Sequence, residues 1–229
     1  MAVVSDTTVH KVNWVKLLDM RIDMYSDIAC PWCYVGERRL EKALATFPDL
    51  EIDWHWHAFQ LQPQMPPRGV EWQSFIVQKF GGAEQCDAAF AHVVESGRLE
   101  GIVFDFVKMP VAPNTVNAHR LVLMAQAKGA GQAVAEALFK AYFTDAQDIT
   151  DPVILVQIGA AHGLEGVGAM LLTDLYVTDV HDAQLEASQL GVTGVPFIVF
   201  DERFALSGAQ PLEVFTRAIK TALDAQPPK

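Results

Sequence analysis

The run from Arg21 to Phe59 constrains the fold of this chain more than any other. Arg21–Ser26 reads as a short strand, and residues 32–47 read as a helix. The helix has Leu40, Leu44 and Phe47 at i, i+4 and i+7 and a stop at Pro48-Asp49. Glu51–Phe59 then alternates Ile52, Trp54 and Trp56 against Asp53, His55 and His57, the pattern of a second strand. A strand, a helix and a strand of these lengths make a right-handed βαβ unit with parallel strands. The helix begins at the C-terminal edge of the first strand, where open α/β sheets carry their sites.

At that edge stands Cys30-Pro31-Trp32-Cys33, holding two of the 3 cysteines in the chain. Pro31 suits the first helical position, where a missing N–H costs nothing, so Cys30 becomes the N-cap. The amides of Trp32 and Cys33 are expected to point back at the Cys30 sulfur. With the positive end of the helix they favour its thiolate. A thiolate with a second thiol one turn away can attack a disulfide and then be released by its neighbour, which is dithiol–disulfide exchange. Zinc would need two further ligands. The remaining cysteine, Cys86, has no histidine at finger spacing, and nothing in the sequence brings His55 or His57 to Cys30. A purely structural bridge across so short a loop would constrain the unfolded chain very little.

The 229 residues suffice for one large domain or a domain carrying an insertion. A formal charge of -11 argues against a nucleic-acid backbone or an anionic membrane as partner. Met1 to Asp19 has no apolar run behind a basic region and does not read as a secretory leader. Val153 to Leu172, broken by His162, Gly163, Glu165, Gly166 and Gly168, is expected to be a buried helix pair rather than a membrane span. A cytoplasmic location follows, where thiols stay reduced and a C-x-x-C is more often catalytic than structural.

Beyond the proline-rich connection Gln60–Gly69 the pattern is helical. Trp72, Phe75, Ile76 and Phe80 share one face, and Cys86, Ala89, Phe90, Val93 and Val94 form the next apolar stripe. Asn114 or Thr115 caps a helix ending at Gly129, Val134 to Tyr142 marks another, and Asp151-Pro152 opens one that ends at Gly163. A helix over Asp179–Leu190 precedes two strands, Pro196–Phe200 and Phe204–Ser207, and a final helix from Pro211. The order is β-α-β, a helical block, then β-β-α. Residues 1–19 read as a dispensable extension in which Trp14, Leu17 and Leu18 could pack locally. Residues 20–62 with 180–229 form one domain, and 63–179 is an insertion into it.

This order, with C-P-W-C after the first strand, resembles the DsbA-like oxidoreductases: a thioredoxin fold, α/β in class, interrupted by an all-helical insertion. Three stretches resemble the FrnE-type branch of that family: Ser26 to Gly36, Pro113 to Leu121, and Gly191 to Phe197. Ser207 to Pro211 is similar to the family's closing turn. The resemblance implies catalysis by Cys30 and Cys33, tuned by Pro31 and Trp32. It also implies a cis Val195-Pro196 bond facing them, with Val195 offering backbone hydrogen bonds to an incoming peptide. Relatives place a carboxylate near the end of the first strand to help deprotonate the second cysteine. Here Met24 stands near that place with Asp23 and Asp27 on either side, and Asp27 lies closer to the helix. No cysteine follows Cys86, so a second redox pair of the kind some relatives carry is in doubt.

Trp32 cannot stabilise a thiolate by charge as the histidine of DsbA does, so a milder oxidant is expected. His55 and His57 read as ordinary strand residues, and Cys86 as a small buried hydrophobe. His119-Arg120 could either line the cleft above the cysteines or sit on a solvated helix face. The activity expected is exchange of disulfides in polypeptides or small thiols, as oxidase, reductase or isomerase. It needs no bound cofactor, though glutathione could serve as electron partner. Two other functions remain open. One is a glutathione-dependent transferase or isomerase of the kappa or 2-hydroxychromene-2-carboxylate isomerase type, and the other is a peptide-binding chaperone.

Overall fold

The computed structural model describes residues 18–226. β1 (Leu18–Ser26) and β2 (Leu50–Ala58) pair in parallel through α1 (Pro31–Leu44), as a crossover of this length requires. β5 (Phe197–Phe200) and β6 (Phe204–Ser207) add antiparallel strands, giving the order β2-β1-β5-β6. Strand alternation turns Met20, Ile22 and Met24 of β1 and Ile198 and Phe200 of β5 to one face. There Leu40 and Ala43 of α1 and Phe215 and Ile219 of α9 (Leu212–Asp224) cover them. Full burial of each large side chain stabilises by about 1.5–3 kcal/mol, so this layer anchors the sheet.

A larger core lies in the helical block between β2 and β5. It is built by α2 (Trp72–Phe80), α3 (Ala83–Leu99), α4 (Val116–Gln126), α5 (Gly131–Phe139), α6 (Pro152–Ala161) and α7 (Val167–Leu171), while α8 (Val177–Gln189) packs through Ala187 with Tyr25 and Phe59 in a smaller cluster. The first turn of α1 belongs to this core. Cys30, Cys33, Tyr34 and Val35 pack with it, whereas Leu40 and Ala43 pack under the sheet. One helix therefore ties the two cores together. Arg39 and Lys42 reinforce the tie, pairing with Glu100 just beyond α3 at 2.8 and 2.6 Å.

Several expectations change. β1 starts at Leu18, so Leu18 and Asp19, assigned to a dispensable extension, belong to the strand. Trp14 and Leu17 lie outside the described residues. The expected boundary at 179/180 falls in the first turn of α8. A ribbon of two-residue strands, β3 (Val70–Glu71) and β4 (Val111–Ala112), joins the start of α2 to the loop before α4; strands so short carry no period to read. Val153–Leu172 is not a buried pair. Leu155, Gly159, Val167 and Met170 face inward, while Val153 is 58% and Leu172 89% exposed. Apolar composition alone does not say which face finds a partner. Among the described residues no helix is long and apolar enough to cross a membrane.

Candidate active site

Cys30 is the N-cap of α1, in extended conformation, with Pro31 beginning the helix. Its sulfur makes no cap hydrogen bond, which corrects the expectation that the first helical amides point at it. The Cys33 N–H donates at 3.0 Å to the Cys30 carbonyl, closing the first turn on that residue's backbone instead. The thiol faces out of the helix and lies 3.6 Å from the carbonyl oxygen of Val195. Cys30 is 5% exposed and Cys33 fully buried, so access to the pair runs through Cys30. Burial pushes the Cys33 thiol well up, and the adjoining Cys30 sulfur adds to this. The Ser26 hydroxyl and the Asp27 backbone N–H pull it the other way.

Val195-Pro196 is a cis peptide. A Cβ on Gly36, one turn into α1, would come within 2.9 Å of the Pro196 Cγ, so the glycine lets the helix lie against the proline ring. The turn after β6 closes on the same place. The Gly208 N–H donates to the Pro196 carbonyl at 2.8 Å, and Arg39 Nη1 donates to the Ala209 carbonyl at 2.8 Å. The four stretches singled out in the sequence thus converge on the first turn of α1, its cis-proline neighbour and the wall behind them.

That wall is polar and sealed. Asp27 is 1% exposed. Its Oδ1 accepts the Ala29 N–H at 3.2 Å, and its Oδ2 accepts the Leu61 N–H, beyond β2, at 2.7 Å. His119 of α4 is fully buried, with Nε2 3.4 Å from Asp27 Oδ1 and Nδ1 3.3 Å from the Trp56 indole nitrogen. His119 therefore stands behind the cysteine loop, and the solvated-face alternative is excluded for it and for Arg120. The buried Arg120 guanidinium donates to the carbonyls of Met170, Thr173 and Leu175 at 2.6, 2.6 and 2.7 Å, holding the α7–α8 connection against α4. Burial lowers its pKa, and these carbonyls offset the cost of enclosing the charge.

Beside the loop, on the side of Ala29 and Pro31, an apolar cavity of about 100 Å³ opens between α2, α3 and the segment after α5. Trp72, Phe90, Phe106 and Phe143 dominate its walls. A π-helical turn over Lys140–Thr144 re-aims Tyr142, whose hydroxyl donates to the Val111 carbonyl at 3.1 Å. Trp32 packs edge-on against His92 of α3, with centroids 5.1 Å apart. Neither His92 nor the cavity could be found from the sequence, because their residues come from separate helices with no shared spacing. Ser26 was part of a singled-out stretch, but its contact with Cys33 depends on how β1 meets α1.

The other candidates lie apart. His57 bonds to Asp23 at 2.8 Å, and His55 pairs with Asp53 at 2.9 Å. Cys86 is a free thiol packed into the helical core, with its pKa raised by burial. Among the described residues no cluster of three or more potential metal ligands occurs.

The DSBA-like thioredoxin domain matches residues 21–220. The chain belongs to that family. Its architecture is that of a thioredoxin-like oxidoreductase with a helical insertion. YwbO, an uncharacterized protein of Bacillus subtilis, is 27% identical over 217 residues, covering 88% of this chain and 96% of its own. A probable DsbA oxidoreductase from Streptomyces coelicolor superposes with a TM-score of 0.83 at 35% identity over 92% of each chain. The cytosolic disulfide reductase DsbM of Pseudomonas aeruginosa, in a structure with GSH, shares the fold at a TM-score of 0.62 and 20% identity, covering 89% of this chain and 99% of its own.

Proposed function

We propose that this protein exchanges disulfides in polypeptide substrates through Cys30 and Cys33. The observation that carries the reading is the asymmetry of the pair: two adjoining sulfurs, one with access to solvent and one with none. The Cys30 thiolate attacks a substrate disulfide, one substrate thiolate leaves, and a mixed disulfide forms. Cys33 loses its proton and attacks the Cys30 sulfur. The second substrate thiolate leaves, and the Cys30–Cys33 disulfide remains. Two electrons have passed to the substrate, and the reverse sequence oxidises a substrate dithiol. Isomerisation follows when Cys33 resolves slowly.

Val195 supports a polypeptide substrate, because its backbone lies against the reacting sulfur where an extended peptide could add as a strand. Asp27 is the group we assign to receive the Cys33 proton, since Cys33 is sealed from water and the backbone N–H of Asp27, on the loop leading into α1, meets its sulfur. Glutathione as electron partner and a cytoplasmic setting fit the named properties of DsbM. Membership in the FrnE-type branch rests on the three matched stretches. With Trp32 where DsbA has histidine, the pair is expected to be less oxidising than the about −120 mV of DsbA. A redox titration against glutathione reads that value directly.

The deciding experiment compares two variants in an insulin-reduction assay. Cys30→Ser abolishes turnover, whereas Cys33→Ser retains the first attack and accumulates mixed disulfides visible by mass spectrometry. Turnover surviving in Cys30→Ser would overturn the assignment.

A further inference from the structure

We infer that His119 is a positioning residue for the resolving half of this reaction. In this role it orients Asp27 through its Nε2–H and is itself set by the indole of Trp56. The inference rests on the oxidoreductase reading above and adds a residue to it.

The indole of Trp56 can only donate a hydrogen bond. Trp56 Nε1 lies 3.3 Å from His119 Nδ1, so Nδ1 must be the acceptor and the ring proton must sit on Nε2. Protonating Nδ1 would set N–H against N–H in a site without solvent. Nε2 points at Asp27 Oδ1 from 3.4 Å, yet it closes no hydrogen bond among the described residues. A fully buried polar nitrogen left in this state costs about 1–3 kcal/mol, so its place demands a reason. The proton cycle of Asp27 supplies one. The carboxylate already accepts the amides of Ala29 and Leu61, and His119 is the third donor within reach, able to tighten as negative charge returns to the carboxylate.

The Cys33 thiol gives its proton to Asp27, and the Cys33 sulfur attacks Cys30 in the mixed disulfide. The Cys30–substrate bond breaks, and the substrate leaves as a thiolate. His119 neither gains nor loses a proton. The ionisable groups that face Asp27 are Cys33 from α1, His119 from α4 and Tyr142 from the π-helical turn, with Cys30 bonded to the Asp27 carbonyl through its backbone N–H. The Tyr142 hydroxyl is committed to the Val111 carbonyl, which leaves His119 as the donor that can respond.

Stopped-flow reaction of the reduced protein with dithiobis(nitrobenzoate) separates the two halves. The first nitrothiolate is released when Cys30 forms the mixed disulfide, and the second when Cys33 resolves it. In His119→Leu the first phase stays within about twofold of wild type and the second slows by about tenfold or more, with its pH profile displaced upward. His119→Gln, which keeps an N–H donor, recovers most of the rate. Trp56→Phe leaves the first phase intact and alters the pH profile of the second, which keeps the test open if His119→Leu does not fold. A second phase unchanged in rate and pH dependence in these variants overturns the role of His119. Equal slowing in His119→Leu and His119→Gln does the same, since it would mean packing alone. Absence of the first phase in wild type would instead overturn the oxidoreductase reading.

Discussion

β1 carries Asp23 within it and Asp27 just past its end, two buried carboxylates each facing a histidine, and the difference between them separates structure from chemistry. Asp23 is closed. Arg21 donates to both of its oxygens at 2.8 and 2.7 Å, and His57, stacked on Tyr25, contacts it at 2.8 Å. Burial alone would push its carboxyl up, but the hydrogen bonds from His57 and Arg21 outweigh it and bring the pKa down to about 2. Asp27 lies on the loop that runs into α1 and has no cation bonded to it among the described residues; its histidine stands off at 3.4 Å. The satisfied cluster holds β1 to β2. The incompletely bonded one lies on the loop beside Cys30, the residue we propose to react first.

The sharpest test of this contrast is a pair of matched substitutions. Asp27→Asn is expected to slow resolution of the mixed disulfide by about 100-fold, the range of a lost general base. Asp23→Asn leaves it within about twofold. Equal effects on the second nitrothiolate release would erase the distinction.

Stability inverts the ranking. A carboxyl lowered from its ordinary 3.8 to about 2 contributes about 2 kcal/mol, fully present above the unfolded value and lost as the pH falls through about 2. Asp23→Asn therefore loses that stability near neutrality and flattens acid unfolding between about pH 4 and 2, measured by urea melts across pH. A melt in which Asp23→Asn matched wild type at neutral pH would break the structural half of the comparison.

The smallest effect is expected at Ser26, whose hydroxyl lowers the Cys33 thiol against the upward push of burial. Ser26→Ala should raise that thiol further and slow resolution by about twofold, less than a full hydrogen bond contributes, since the Ser26 hydroxyl closes none among the described residues. An alkylation-rate profile of Cys33 in the Cys30→Ser background reads this directly.

Most of the architecture was legible because its signals are local. The alternation of Glu51–Phe59 and the proline after Cys30 act within a few residues, and the structure keeps both; the helix expected over 32–47 ends at Leu44, so Phe47 of its stripe packs from the turn that follows. What the sequence left open was the choice between Asp23 and Asp27, and between a solvated and an enclosed His119. Both turn on which face of an element meets another. Similar limits apply to Val153–Leu172, whose composition is mostly apolar although only one side found a partner. Glu37 makes the same point. It is a charged residue in the second turn of α1, yet it is 1% exposed, and burial, reinforced by Glu41 and Glu136, pushes its carboxyl well up.

By itself the sequence determined where the cysteines stand: at the start of a helix that follows a strand, one turn apart, with proline between them. Those are properties of neighbouring residues and need no distant contact. Only the tertiary structure decided that Cys30 looks toward Val195 and that Cys33 is sealed against a wall holding Asp27, His119 and Trp56. Those partners come from elements far apart in the chain, and packing two cores around one helix is what brings them together.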